Sequence, residues 1–312
     1  MFDSSGHADG ITFPAMTTPQ DVRIPAGAEQ LAAYLYSPDN TPEDTRPAPC
    51  IVMAHGLSGT RDDALPGYAE AFCAAGYVVV LFDYRHFGAS TGEPRQLIDI
   101  GGQQQDYRTA IAWARTLPGV DPDRIVAWGS SYSGGHVLTV AADDPRLAAV
   151  IAQAPFTDAV ASMLAVPTRI VPAVMLAAVR DQLRAWRNAP PVMLPAVGDP
   201  GEVAAMTSPD AKPGLDAIRG PNSLWRNELA ARLMLRFPFY RPRSKTARLA
   251  MPLLICVCDD DKVTPPGPTV KAAHRAPRGE LRHYPYGHFD IYHDPKVKAD
   301  QLEFLRRALA VR

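Results

Sequence analysis

Apolar residues along this chain fall in short, near-continuous runs separated by amphipathic stretches. "CIVMAHG" (50–56) ends in glycine and is followed by the helix-like "DDALPGYAEAFCAAG" (62–76). "YVVVLFDYR" (77–85) precedes "QQDYRTAIAWARTL" (104–117), where Ile111, Ala114 and Leu117 lie close to helical spacing. "RIVAWG" (124–129) leads through a serine- and glycine-rich stretch into the helical "GHVLTVAADD", and "LAAVIAQAP" (147–155) is another buried run. Strands that are apolar at every position are covered on both faces. The alternation therefore predicts an α/β fold with a mostly parallel central sheet and helices on both faces. The segment up to about Pro38, with "EQLAAYLYS", is expected to add antiparallel edge strands.

The alternation stops after Phe156. From Thr157 to about Leu249 no clear strand pattern appears, only Pro and Gly punctuation ("NAPPVMLPAVGDPG") and Met, Leu, Trp and Arg at irregular helical spacings. "PLLICVC" (252–258) and "ELRHYPYG" (280–287) resume the strand pattern. A closing helix, "VKADQLEFLRRAL", brings Val297, Leu302, Leu305 and Leu309 onto roughly one face. This predicts a core formed by residues 1–156 and 250–312, with a helical cap or lid inserted at 157–249. The most apolar stretch, Ala161 to Val179, is interrupted by Pro167, Arg169 and Pro172, which argues for a pair of lid helices over a membrane span.

Composition narrows the classes further. With 312 residues and 46% hydrophobic residues, a large α/β core is expected. A formal net charge of −1 gives no electrostatic case for nucleic acid. The opening "MFDSSGHADG" has neither a basic n-region nor an apolar h-region, which argues against a secretory signal. Cys50, Cys256 and Cys258 sit in strand-like runs and Cys73 in a helical one, so reduced buried thiols and a cytoplasmic location are expected. Cys256 and Cys258 have no second pair to complete a zinc site.

The chemistry centres on "GSSYSGG", Gly129 to Gly135. Lying between a strand and a helix, it is not a linker, and without a following lysine it is not a phosphate loop. A small-x-Ser-x-small pattern makes a tight turn that projects the serine oxygen. Two frames fit, one centred on Ser131 and one on Ser133. The strand ends at Trp128, which starts the turn at Gly129 and puts Ser131 at its tip. A serine hydroxyl needs an imidazole to take its proton and a carboxylate to orient that imidazole. Two loops that follow strands offer them: "CDDDKVTPP" after 252–258, and "YGHFDIYH" after 280–286. The order Ser, Asp, His is that of the α/β-hydrolase arrangement.

"VMAHGLSG", "FDYRHFGASTGEPR", "RIVAWGSSYSGG", "PLLICVCDDDKVTPP" and "GHFDIY" together resemble the α/β-hydrolase superfamily in order and spacing, from about Ala48 onward. The sequence is similar to the dienelactone-hydrolase and X-Pro-dipeptidyl-peptidase-like bacterial groups, with relatives among polyketide acyl transferases. The resemblance implies Asp261 as the acid, with Asp260 as its alternative, and His288 as the base. Cys258, where these families often carry glycine, blurs the choice among Asp259 to Asp261. Oxyanion-hole N–H groups are expected from Tyr132, directly after the nucleophile, and from Leu57, after the His55-Gly56 turn.

The remaining features read as structural. His283, His288 and His293 recur every fifth residue, a poor spacing for a shared metal-ligand face, and no metal or organic cofactor is implied. His55, His86 and His136 are read as packing or surface residues, Asp83 and Arg85 as holding the loop after their strand, and Arg241 to Lys245 as a solvated connection. Met163, Met175, Met193, Met206 and Met234 fall in the lid and are open to either pocket lining or packing. The expected activity is a serine hydrolase acting on a small-molecule carboxylic ester or thioester. An acyltransferase using the same triad is the alternative, and a peptidase ranks below both. A silent scaffold is disfavoured because all three triad members are present, and an aspartate-nucleophile haloalkane hydrolase because Ser131 stands at the elbow. Oligomeric state, a homo-oligomer included, is left open.

Overall fold

The computed structural model describes residues 18–38, 46–164 and 168–310. Its strands are β1 (Gln20–Ala26), β2 (Glu29–Tyr36), β3 (Ala48–Ala54), β4 (Val78–Phe82), β5 (Val120–Ser130), β6 (Ala149–Gln153), β7 (Met193–Leu194), β8 (Leu229–Ala230), β9 (Leu253–Cys258) and β10 (Gly279–Tyr284). Its helices are α1 (Pro66–Ala74), α2 (Ile100–Ala114), α3 (Tyr132–Ala141), α4 (Ala159–Leu164), α5 (Val171–Ala185), α6 (Ala211–Ile218), α7 (Leu233–Arg236), α8 (Pro266–Arg275) and α9 (Pro295–Ala310). Eight strands form one sheet in the order β1-β2-β4-β3-β5-β6-β9-β10. The β1–β2 and β2–β4 pairs are antiparallel and the others parallel, giving the expected parallel centre with an antiparallel edge.

Successive side chains of a strand point to opposite faces, so a strand covered on both sides must be apolar throughout. On β3, Cys50, Val52 and Ala54 pack into one core with Tyr107 and Ile111 of α2 and Val137 and Leu138 of α3. Ile51 and Met53 pack into the other, with Tyr68 and Phe72 of α1 and Phe304 and Leu305 of α9. β4 repeats this, Val78, Val80 and Phe82 on one face and Val79 and Leu81 on the other. The chain moves from β3 to β4 on one side and returns to place β5 on the other. The carboxyl ends of β3 and β5 therefore flank the point where strand order reverses, where open α/β sheets form their binding crevice.

Between β6 and β9 the chain leaves this sheet. The apolar stretch around 161–179 is α4 and α5, with Pro167 outside the described residues. Among the described residues no helix is long and apolar enough to cross a membrane. The segment is not purely helical: β7 and β8 pair antiparallel, Met193 with Ala230 and Leu194 with Leu229. Two-residue strands are too short to show a period in sequence, which is why no strand was expected there. Arg241 stays exposed, as expected of the connection, but Arg243 is part-buried, and both pair with buried Asp158 at the start of α4. Burial alone would raise that carboxyl, but the hydrogen bond from Arg241 and the charges around it hold it below its usual range. α8 went unrecognised in sequence because Pro266 and Pro268 interrupt its start, although proline is well tolerated in a first helical turn.

Behind the β5–α3 turn, His136 is wholly buried, with Nδ1 2.7 Å from the Tyr240 hydroxyl and Nε2 3.1 Å from Gln103 Oε1. A neutral ring fits, with Nε2–H donating to Gln103 and Nδ1 accepting from Tyr240. Burial lowers its pKa to about 3, against about 6.5 in an unfolded chain. Below pH 6.5 the unfolded chain therefore binds a proton that the folded one refuses. The stability this residue contributes is complete above pH 6.5 and lost as pH falls towards 3, about 2 kcal/mol of it by pH 5. Between pH 7 and pH 5 the melting temperature of His136→Gln should fall by a few degrees less than that of wild type, as read by thermal melts. Equal falls would show that His136 takes up its proton without loss of the fold.

Candidate active site

Ser131 occupies the tip of the turn joining β5 to α3, with φ 56° and ψ −119°. Side chains rarely tolerate this region, so the surroundings must hold it. The Ser131 N–H donates to the Gln153 carbonyl on β6 (2.9 Å), and the Phe156 N–H donates to the Ser131 carbonyl (2.8 Å). The turn closes only over bare backbone. A Cβ at Gly129 would stand 2.4 Å from the Ser133 carbonyl oxygen, and one at Gly134 2.7 Å from Pro155 Cβ.

Ser133, the centre of the competing frame, is fully buried. Its hydroxyl donates to the His55 carbonyl and accepts from Tyr84, tying the start of α3 to the loop after β3. Ser131 Oγ lies 2.9 Å from His288 Nε2, and His288 Nδ1 lies 2.6 Å from Asp261 Oδ2. The carboxylate accepts from Nδ1–H, so Nε2 presents its lone pair to the serine hydroxyl. These three residues come from the loops after β5, β9 and β10, and His288 and Asp261 are both buried.

Asp261 is held from several directions. The N–H groups of Val263 and Thr264 donate to Oδ1 (2.8 and 2.7 Å), and Thr264 Oγ1 lies 2.8 Å from Oδ2. Its neighbours differ: Asp260 is exposed, and Asp259, also exposed, sits 2.6 Å from His283 Nδ1. Thr264 was not singled out in sequence. The Asp-x-x-Thr step was its available signal, because an aspartate side chain readily accepts the N–H groups two and three residues on.

The Leu57 and Tyr132 side of Ser131 opens into a cleft with about 710 Å³ of empty space including its mouth. Phe156, Phe237, Met163, Met206 and Met234 line it, whereas Met175 and Met193 do not. Among the described residues neither the Leu57 nor the Tyr132 N–H has a hydrogen-bond acceptor. Tyr132 opens α3, whose N-terminus carries partial positive charge. A second cleft, with about 460 Å³ of empty space including its mouth, lies on the His288 side, bounded by His55, Asp63, Leu65, Leu215, Ile218, Phe289 and Tyr292.

His55 is structural, as expected. Its Nδ1–H donates to the Gly56 carbonyl (2.9 Å), and burial lowers its pKa to about 4. Asp83 accepts the N–H groups of Arg61 (2.7 Å) and Ala89 (3.0 Å), and Arg85 Nε donates to Asp106 (2.7 Å), so both hold the loop after β4. Burial outweighs those donors and raises the Asp83 carboxyl to about 7. His86 and His293 stand outside the triad, and among the described residues no three His, Cys, Asp or Glu side chains converge as a metal site.

The profile of the X-Pro dipeptidyl-peptidase (S15) family matches residues 27–187. The quorum-quenching protein AidA of Acinetobacter baumannii is 44% identical over 94% of this chain and 96% of its own length. The thiohydrolase aneE of Aspergillus aculeatus is 34% identical over 64% of this chain and 59% of its own. Further relatives are named polyketide transferases. Among solved structures, the α/β hydrolase GrgF of Penicillium superposes with a TM-score of 0.81 over 94% of this chain and 100% of that one, at 24% identity, a likeness of fold.

Because the turn leaves no room at residue 129, Gly129→Ala should cost about 3 kcal/mol or more and lower the melting temperature by many degrees. A variant melting within a degree of wild type would show that the approach of Ser133 is not what fixes this turn.

Proposed function

We propose that this chain, which belongs to the X-Pro dipeptidyl-peptidase (S15) family of α/β-hydrolases, is a serine hydrolase that cleaves a carboxylic ester or thioester. The observation that carries the reading is the hydrogen-bonded line from Asp261 through His288 to Ser131, at the junction of two clefts. Ser131 Oγ attacks the carbonyl carbon as its proton passes to His288 Nε2. The developing oxyanion is received by the N–H groups of Leu57 and Tyr132. Collapse expels the alcohol or thiol, protonated by His288, and leaves the acyl group on Ser131. Water, deprotonated by His288, then releases the carboxylic acid. Asp261 keeps the imidazole oriented and stabilises its charged form. The sequence of steps balances without metal or organic cofactor.

Residues 157–249 act in this reading as a cap, and Met163, Met206, Met234 and Phe237 shape an apolar acyl site. The names of the relatives suggest the substrate: the thiohydrolase points to a thioester, and the quorum-quenching protein to a bacterial signalling compound. Cys50, Cys256 and Cys258 are buried free thiols, which suits a reducing compartment, and we place the protein in the cytoplasm. The second cleft favours one alternative, transfer of the acyl group to an acceptor other than water, in line with the polyketide transferases among the relatives. Peptide cleavage ranks below both.

With a series of p-nitrophenyl esters, wild type should turn over and Ser131→Ala should lose about 10⁴- to 10⁶-fold in kcat. Wild-type-like turnover by Ser131→Ala would sink the assignment, and a burst without turnover would favour the transferase. Asp261→Asn should lose about 10⁴-fold in kcat, whereas Asp260→Asn should stay within about twofold. The reverse pattern would move the acid to Asp260.

A further inference from the structure

The second cleft contains a carboxyl group that the triad does not use. Asp63 lies in the loop between β3 and α1 and is 5% exposed. Its Oδ2 accepts both the N–H (2.8 Å) and the hydroxyl (2.9 Å) of Thr60. Its Oδ1 is buried and has no hydrogen-bond partner among the described residues. A buried oxygen in that state costs free energy unless a donor reaches it, and Asp63 borders the cleft from which a donor could come.

The direction of proton flow says which part of a substrate occupies this cleft. His288 lines the second cleft together with Ser131, and it is not among the residues lining the first. In the reaction proposed above, His288 must hand its proton to the departing oxygen or sulfur, and later take one from the incoming nucleophile. Both groups must therefore sit on the His288 side, and the acyl chain on the methionine side. Resting on that reading, we infer that Asp63 is a specificity-determining residue of the leaving-group and acceptor site. It selects an alcohol or thiol that carries an N–H or O–H donor a few bonds from its reacting atom. Leu65, Leu215, Ile218 and Phe289 supply apolar walls beside that carboxylate, so the group selected is compact and presents its donor to Asp63. A site built to receive a donor discriminates against an analogue lacking it, because its own buried oxygen is then left unpaired.

The test uses two esters of one acyl group, chosen from the p-nitrophenyl series. One carries N-(2-hydroxyethyl)acetamide as its alcohol, the other 5-hydroxy-2-pentanone, in which a methylene replaces the N–H. The readout is the ratio of the two kcat/KM values, in which a uniform loss from a loosened loop cancels. Wild type should prefer the amide by about tenfold or more. Asp63→Ala should bring the ratio to about one. Asp63→Asn can still accept the Thr60 N–H while turning its amide N–H₂ to the cleft, and should push the ratio below one. A wild-type ratio near one, or a preference that persists in both variants, overturns the proposal. Wild type that turns over no ester, p-nitrophenyl esters included, overturns the hydrolase reading and the cleft assignment with it. That outcome is told apart because wild type itself fails.

Discussion

Everything at this site depends on one unfavourable backbone conformation. Ser131 at φ 56° stands where a side chain costs on the order of 1–3 kcal/mol, and such a residue persists only when its neighbours leave no alternative. Here they come from every side. β6 takes the Ser131 N–H through Gln153, and the strand's continuation returns the Phe156 N–H to the Ser131 carbonyl. Glycine at 129 lets the first turn of α3 fold back to within contact of β5. Ser133 fastens that turn to the loop after β3, whose next residues include Leu57. The conformation that exposes the serine oxygen therefore also fixes the separation between the two oxyanion donors proposed for it. Relaxing the turn would cost the site its proposed nucleophile and anion cradle together.

The proposed acid and base arrive by a different route. β9 and β10 are parallel neighbours, so their carboxyl ends deliver Asp261 and His288 to the same edge as Ser131. Electrostatic selection among the histidines follows from what each touches. Burial drives both His55 and His136 well below the ordinary range, His55 despite the Asp83 carboxylate 3.9 Å from its Nε2. His288 is equally buried, with a carboxylate oxygen 2.6 Å from its Nδ1. Asp261 in turn accepts two backbone N–H groups and sits beside the Thr264 hydroxyl, so its oxygens are fixed before the imidazole needs them.

These parts differed in how visible they were in sequence. The sheet was legible because strands buried on both faces are apolar at every position, and no surface helix imitates that over "YVVVLF". The nucleophile turn was legible because a conformation this tight demands small residues at fixed offsets. His288 and Asp261 could be placed by strand ends and family resemblance, but composition could not rank three consecutive aspartates. Only Asp261 among them is buried, which follows from how the chain turns after β9 and supports its proposed role. β7 and β8 were illegible because two residues carry no period. Asp158 with Arg241 and Arg243 was missed because the partners lie more than eighty residues apart, where local pattern says nothing. Asp63 read as one polar position of a helix-like stretch, and only the packing of α6 and the loop after β10 across it turns its carboxyl into a feature of a cleft.

Leu57 and Met206 border both clefts, so the proposed acyl and acceptor sides share a wall. Leu57 is placed by the turn after β3, while Met206 belongs to the segment between β6 and β9 and has a flexible, unbranched side chain. A bulky acyl group that displaces Met206 must therefore change the space left for the acceptor. In the proposed reaction, the choice between water and a larger nucleophile would be set by two things at once: the fit of the acceptor around Asp63, and the position that the bound acyl chain leaves for Met206. Water needs little room and one hydrogen bond to His288, so it competes whenever the second cleft is incompletely filled. Transfer requires an acceptor that fills it better than water does. A family whose members carry hydrolase and transferase names can arise on one triad by changing only this shared wall and the residues behind it.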